Sequence, residues 1–342
     1  MPHSLKSVLL LGALTLAAGT SAGAQTRIGL AVPGGETAPL LEAQMRAGAL
    51  AAIDAVDGEL IIEPDACTSE GGSAAARRFV DDGVSAVVGF LCTEAIEAAL
   101  PILTEAGIPV IATGIRTDSL TDRRERTGWQ VFRLGPRADA ERDAAARYVI
   151  DTWRGSLFAI VDDGTIYGRE IAETVRIAAE ESGLVPVFVD TFRPQLDNQI
   201  GLVGRLRRSG ATHVFVGGDR EDIAIMARDA AGLDYALTIA GGEALRAAGE
   251  TPLAEGIVMI AATQWEDAVA PDGEKPAEEQ GYFLPVHAAV EVAVAALEND
   301  EAIGDGRFET IIGPVEFDAK GDMEGQVYRS YRFDGSSFVP VD

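Results

Sequence analysis

Histidine is nearly absent: the 342 residues hold three, His3, His213 and His287. A histidine-rich metal centre is therefore excluded. A serine or cysteine hydrolase triad would have to rest on His213 or His287, because His3 falls in a segment read below as removable. Bases are scarce as well, 28 against 54 acids, for a formal net charge of −26. That balance lacks the basic stripe of a nucleic-acid binder and opposes docking on anionic lipid. Past the N-terminal segment, no apolar run reaches the roughly 18 residues of a spanning helix. Low-complexity tracts are missing. Cysteine is limited to Cys67 and Cys92, too few to close a zinc site alone. No metal and no cofactor are expected.

What is present is a soluble globular mixture, 47% apolar and 24% charged, long enough for one large domain or two ordinary ones. The first residues read as an address. Lys6 supplies a short positive region, Val8 to Ala18 is apolar, and Ala22-Gly23-Ala24 fits the small-x-small cleavage rule. The run is too short for a spanning helix. No cysteine follows it, so no lipid attachment is expected there. The expectation is a signal peptide over 1–24 and export to the periplasm in soluble form; an uncleaved anchor is the alternative. In an oxidising compartment an isolated cysteine pair forms a disulfide, and a loop of about 25 residues contributes about 3 kcal/mol. Two buried free thiols are the alternative.

Short β-rich runs alternate with longer amphipathic ones. Strands are expected over 27–32, 60–62, 86–89 and 109–112, with helices over 37–55, 73–82 and 93–106 between them. A second set has helices over 139–152, 166–181, 199–208 and 221–231. Its strands fall over 157–161, 185–189, 213–216, 237–239 and 257–260. Continuous apolar strands between helices indicate parallel strands buried on both faces. A helix over 282–299 follows a polar surface loop over 267–279 and could return to the first array. The fold class is α/β, two arrays each with its own parallel sheet and a cleft between them. Ligands of such sheets bind outside the carboxyl ends of the strands. Residues just after strands therefore carry the functional information.

Those residues resemble a known family. Asp65-Ala66-Cys67, Asp81-Asp82-Gly83 and Val88-Gly89-Phe90-Leu91-Cys92-Thr93 are similar to the periplasmic leucine/isoleucine/valine-binding proteins of ABC importers. So are Asp162-Asp163 with Tyr167-Gly168, Gly217-Gly218, Gly242-Glu243, and the run from Gly313 to Asp322. The resemblance spans the mature chain in order. It implies the type I periplasmic binding protein fold: two Rossmann-like lobes with parallel sheets and a three-crossover hinge. Lobe one would hold 25–136 plus 265–322, and lobe two 137–264 plus 323–342. It implies a small-molecule ligand trapped by hinge closure, a permease partner in the inner membrane, a monomer, and no enzymatic activity.

The resemblance also implies site residues. A zwitterionic amino acid wants N–H groups and hydroxyls for its carboxylate and an acid for its ammonium. Thr93, after Leu91 and Cys92, matches the family's carboxylate-binding hydroxyl at a helix N-terminus; serving only as a cap of its own helix is the plain alternative. Glu243 matches the acid that pairs the ammonium, and Tyr167 a tyrosine that closes over the ligand. A solvated loop acid and a core aromatic are the plain alternatives.

The departures bear on specificity. After the 109–112 strand the family carries a threonine; here the chain reads Thr113-Gly114-Ile115-Arg116-Thr117. Either Arg116 enters the pocket beside Ile115 and selects a ligand with added negative charge, or it points to solvent and Thr117 substitutes. Asp219 and Arg220 stand where relatives carry aromatics, and Leu41 lies near a missing aromatic gate. Apolar wall is lost and charge gained, so a purely aliphatic ligand is doubtful. A polar or acidic amino acid, or another small carboxylate or amide, becomes plausible. His213 and His287 read as structural, and the arginine clusters at 123–126 and 205–208 as solvated faces. Two further functions stand beside the receptor: a sensor subunit of the same fold for amides or urea, and a secreted enzyme using cleft acids Asp162, Asp163 and Glu243. The enzyme lacks a nucleophile–histidine pair.

Overall fold

The computed structural model describes residues 26–341 except 35, 57, 248, 264–276 and 326–327. The leader over 1–24 lies outside the described residues. So do most of the loop read over 267–279 and the lobe boundary near Trp265.

In β1 (Thr26–Val32) five successive residues from Ile28 onward are buried. A strand covered on both faces belongs in the middle of a parallel sheet. It lies between β2 (Gly58–Pro64) and β3 (Ala86–Gly89), parallel to both. β4 (Val110–Ala112) and β5 (Val131–Arg133) complete a five-stranded sheet in the order β2-β1-β3-β4-β5. Helices α1 (Pro39–Ile53), α2 (Ser69–Asp81) and α3 (Thr93–Glu105) make the crossovers. Two short turns, α4 (Ser119–Asp122) and α5 (Arg124–Thr127), precede β5.

The second sheet contains β6 (Phe158–Asp162), β7 (Phe188–Thr191), β8 (His213–Gly217), β9 (Thr238–Gly241) and β10 (Val258–Ala262). Its helices are α6 (Ala138–Thr152), α7 (Ile166–Glu181), α8 (Ile200–Ser209) and α9 (Arg220–Gly232). The parallel part runs β7-β6-β8-β9-β10, the same order as the first sheet. Both sheets therefore place a switch point beside their first strand, where ligands of open α/β sheets sit.

α10 (Phe283–Glu298) returns to the first sheet, where Val286, Val290 and Ala293 share a core with Met45 and Ala49 of α1. A Cβ on Gly48 would collide with the Phe283 carbonyl, so glycine permits this close approach. A hairpin of β11 (Phe308–Thr310) and β12 (Gly313–Val315) follows. The chain then crosses to the second sheet, where β13 (Tyr328–Phe333) runs antiparallel to β10 and β14 (Phe338–Pro340) pairs with β13. With the passages from β5 to α6 and from β10 to α10, it passes three times between sheets.

Several boundaries differ from expectation. β5 went unread because it is three residues long and ends on an arginine. β7 begins at Phe188 rather than Val185: Val185 is 74% exposed on the sheet edge, so its apolar character is not a burial signal. α2 begins at Ser69, capped by the Thr68 hydroxyl accepting from Gly71 N at 3.0 Å. The poor helix formers Gly71 and Gly72 hide that start, and Gly72 packs against the backbone of Ala95 in α3. Arg124 is not a solvated side chain; its guanidinium stacks 4.5 Å from the Phe132 ring centroid.

Cys67 and Cys92 are joined in a disulfide. It ties the β2–α2 loop, where Ala66 and Cys67 adopt left-handed backbone, to the residue that caps α3.

Candidate functional site

The two sheets meet across a charged cleft. From the first comes Arg116, in the loop after β4. From the second come Glu141 on α6, Tyr167 at the start of α7, Glu243 after β9, and Tyr328 on β13. The Arg116 guanidinium donates to Glu243 Oε2 at 2.5 Å and to the Tyr328 hydroxyl at 3.2 Å, and lies 3.5 Å from Glu141 Oε2. Arg116 therefore reaches across to groups of the second lobe. Its proton is held more tightly than usual: burial works to loosen it and is outweighed by Glu243, Tyr328 and Glu141.

Glu141 was not anticipated. It is 3% exposed, on the face of α6 that buries Ala144, Ala145 and Val149. Its Oε1 accepts from the Tyr167 hydroxyl at 2.8 Å and from Glu243 N at 2.7 Å. Burial pushes its carboxyl up, opposed by the Glu243 N–H and by Arg116. Its helical register was the available signal, since 141, 144, 145 and 149 share one face. An acid in a helical first turn reads as a surface residue, which hid it.

Tyr167 keeps 37% of its surface exposed, yet its hydroxyl is enclosed between Glu141 and Gly242. Burial and the Glu141 carboxylate push the phenol up. Gly242 must lack a side chain, because a Cβ there would overlap the Tyr167 hydroxyl and Glu141 Oε1. Tyr328 accepts from Arg116 and donates to the Arg137 carbonyl at 3.0 Å, and burial raises it to about 12. Arg246, one turn beyond Glu243, lies 3.6 Å from Glu243 Oε1 and donates to the Ala262 carbonyl. On the first lobe, Leu91 and Tyr282 close around Gly114, leaving no room for a Cβ.

Other expected residues are placed differently. Cys92 is held in the disulfide, and Thr93, half-buried, opens α3 beside it. The Ile115 side chain is 1% exposed in the core with Phe90 and Leu120, so only its main chain is left for a ligand. The Thr117 hydroxyl lies 3.3 Å from that of Ser119 and its carbonyl accepts from Arg133, so Thr117 does not take the place of Arg116. Asp219 is exposed and caps α9, accepting from Asp222 N at 3.0 Å. Arg220 turns to the Thr251 carbonyl. Both are used within their own lobe. His213 contacts Thr212 and Trp153, and His287 lies 3.4 Å from Glu291 one turn along its helix.

Two like-ordered parallel sheets and three passages of the chain between them frame the comparison with known proteins. A family model described as periplasmic binding protein matches residues 25–278. The chain belongs to the periplasmic binding protein family. It is 26% identical to the leucine-, isoleucine-, valine-, threonine- and alanine-binding protein of Pseudomonas aeruginosa, over 90% of each chain. A Desulfitobacterium hafniense ABC transporter substrate-binding protein in complex with Leu has the same fold, with a TM-score of 0.68 and 20% identity, covering 93% of this chain and all of that one. A Rhodopseudomonas palustris (R. palustris) solute-binding protein in complex with 4-hydroxybenzoate gives 0.64 at 13% identity, covering 93% of this chain and 96% of that one. The fold is the type I periplasmic binding protein architecture of two Rossmann-like lobes.

Proposed function

We propose that the chain is a periplasmic receptor of an ABC importer that traps a zwitterionic amino acid between its lobes. The units that close are 25–136 with 265–322 and 137–264 with 323–342, acting as a monomer that hands its ligand to an inner-membrane permease. One observation carries the reading: Arg116 of one lobe and Glu243 of the other are in direct contact. An arginine fork matches a carboxylate and a glutamate matches an ammonium. A zwitterion entering the cleft can therefore exchange partners with this pair and leave both protein charges neutralised, which is the condition for burying them. Thr93 at the start of α3 adds a hydroxyl and helix N-terminal N–H groups for the carboxylate. Tyr167 and Glu243 meet the ligand from lobe two, so contacts to both lobes shift the population toward closure.

Names among the relatives support an amino acid, while the 4-hydroxybenzoate complex shows the same fold taking a carboxylate without an ammonium. Such a ligand would occupy Arg116 and leave Glu243 with Arg246 alone, 3.6 Å away, so the ammonium-bearing class is favoured. A sensor subunit of this fold would use the same site. The binding reading assigns no turnover to the cleft acids. The test is a thermal-shift screen on unfolded and refolded protein against L-amino acids, benzoates, urea and short amides, with calorimetry on each hit. Stabilisation by amino acids supports the reading; a response to benzoates or amides alone overturns it.

A further inference from the structure

Arg116 faces two acids in the cleft, and that is one more than ammonium pairing requires. Glu243 is 2.5 Å away and Glu141 3.5 Å away. A second arginine, Arg246, stands 3.6 Å from the other oxygen of Glu243. Two cations and two anions form one connected set whose formal charge is zero. The phenols of Tyr167, Tyr282 and Tyr328 face the same set, and burial holds all three protonated. A neutral zwitterion keeps the total at zero; an acidic side chain makes it −1 and a basic one +1. In a half-buried cleft a uncompensated unit charge is costly.

We propose that Glu141 is the specificity-determining residue of this site: it cancels the charge of Arg116 and so turns the cleft against acidic amino acids and toward those with neutral side chains. This rests on the amino-acid reading above and reverses the first inference from sequence, in which Arg116 alone selected added negative charge. Glu141 is also a positioning residue. Through one oxygen it holds the Tyr167 hydroxyl and the Glu243 main chain together, fixing both ligand-facing groups of lobe two in one arrangement. Its second oxygen is the one turned to Arg116. The two roles are thus divided between the two oxygens of one carboxyl group, and they separate experimentally. Glutamine keeps an acceptor for Tyr167 and Glu243 N–H and removes the charge; alanine removes both.

The experiment measures calorimetric affinities of wild type, Glu141→Gln and Glu141→Ala for the twenty protein amino acids. The readout is the affinity ratio within two near-isosteric pairs, aspartate to asparagine and glutamate to glutamine. A ligand below detection is scored at the detection limit. Glu141→Gln is expected to raise the acid-to-amide ratio by about tenfold or more, the scale of one charge pair at this separation. Both variants should bind the preferred neutral ligand more weakly than wild type, Glu141→Ala more weakly than Glu141→Gln because it also loses the acceptor for Tyr167 and Glu243 N–H. An unchanged ratio in a folded Glu141→Gln that still binds its neutral ligand overturns the proposal and leaves the amino-acid reading standing. No amino-acid binding by wild type overturns both. Should Glu141→Gln fail to unfold cooperatively, Arg246→Gln decides. Two acids against Arg116 alone should raise the ratio of lysine to norleucine about tenfold or more, and no rise refutes the assignment.

Discussion

Arg133, at the end of β5, is completely buried and meets Asp322 at 2.6 Å. Around this pair two segments that pass between the lobes, the one from β5 to α6 and the one from β12 to β13, are tied together. Arg133 also donates to the Thr117 carbonyl and the Thr121 hydroxyl, both at 2.6 Å. Arg137, just before α6, donates to the second oxygen of Asp322 at 2.8 Å. The loop that carries Arg116 is thereby fixed from behind: the Arg116 carbonyl accepts from Ala138 N, and Asp118 accepts from Asp139 N and Arg142. The cleft cation is aimed by a buried ionic joint at the hinge.

Removing the shared acid leaves two arginines facing a hole, one of them fully desolvated. Asp322→Ala is expected to lower stability by about 3–5 kcal/mol, read by urea unfolding. A loss under 1 kcal/mol would mean that water or another acid takes over the joint.

The disulfide closes a loop of 25 residues in sequence separation. Reducing it, or replacing both Cys67 and Cys92 by alanine, should cost about 3 kcal/mol. The comparison is the unfolding midpoint with and without reductant, with the double variant as the control that reductant must not shift.

Gly242 has no room for a side chain beside the Tyr167 hydroxyl and Glu141. Gly242→Ala should break the Tyr167–Glu141 hydrogen bond and lower ligand affinity tenfold or more, while Tm falls by only a few degrees because the site lies at a loop. Equal affinity in both proteins would show that the closed arrangement of Tyr167 is not used.

Glu243→Ala removes the nearest partner of Arg116 and, on the proposed function, the ammonium contact with it. Amino-acid binding should weaken by about 2–4 kcal/mol. Calorimetry with wild-type affinity for the variant would end the ammonium assignment.

Asp222, in the first turn of α9, is 1% exposed, facing Asp219 and Asp163, with Gln195 N donating to it at 2.9 Å. Burial raises its carboxyl to about 6. The folded state therefore binds this proton more tightly than the unfolded chain. The contribution favours folding at low pH and is lost as pH rises from about 4 through 6. Asp222→Asn should accordingly be more stable than wild type at pH 8, by on the order of 1 kcal/mol, with the gap narrowing below pH 6 and closing by about pH 4. A gap independent of pH would assign the effect to packing.

Much of the scaffold was legible. Strands such as β1, β3 and β8 are runs of apolar residues because parallel strands are covered on both faces, and the intervening helices carry their own period. The returning helix α10 was legible from its apolar residues alone. Edge and joint elements were not. β7 lies half in solvent and β5 ends in the arginine of a buried ion pair, so neither has the composition of a core strand. Among candidate site residues, Tyr167 and Glu243 stood out through the family resemblance and Arg116 as a departure from it, each in a loop after a strand. Glu141 did not, since an acid near a helix start is ordinary on a surface.

The sequence by itself determined the alternation, the two α/β arrays and the positions of the strand-end loops, because these depend on local periodicity and on the burial that each strand demands. Only the tertiary structure decided the charge partners. Arg116 and Glu243 are 127 positions apart, and Glu141 reaches both from a third element. Electrostatic pairing depends on distance and burial in the folded state, neither of which is written in the order of residues along the chain.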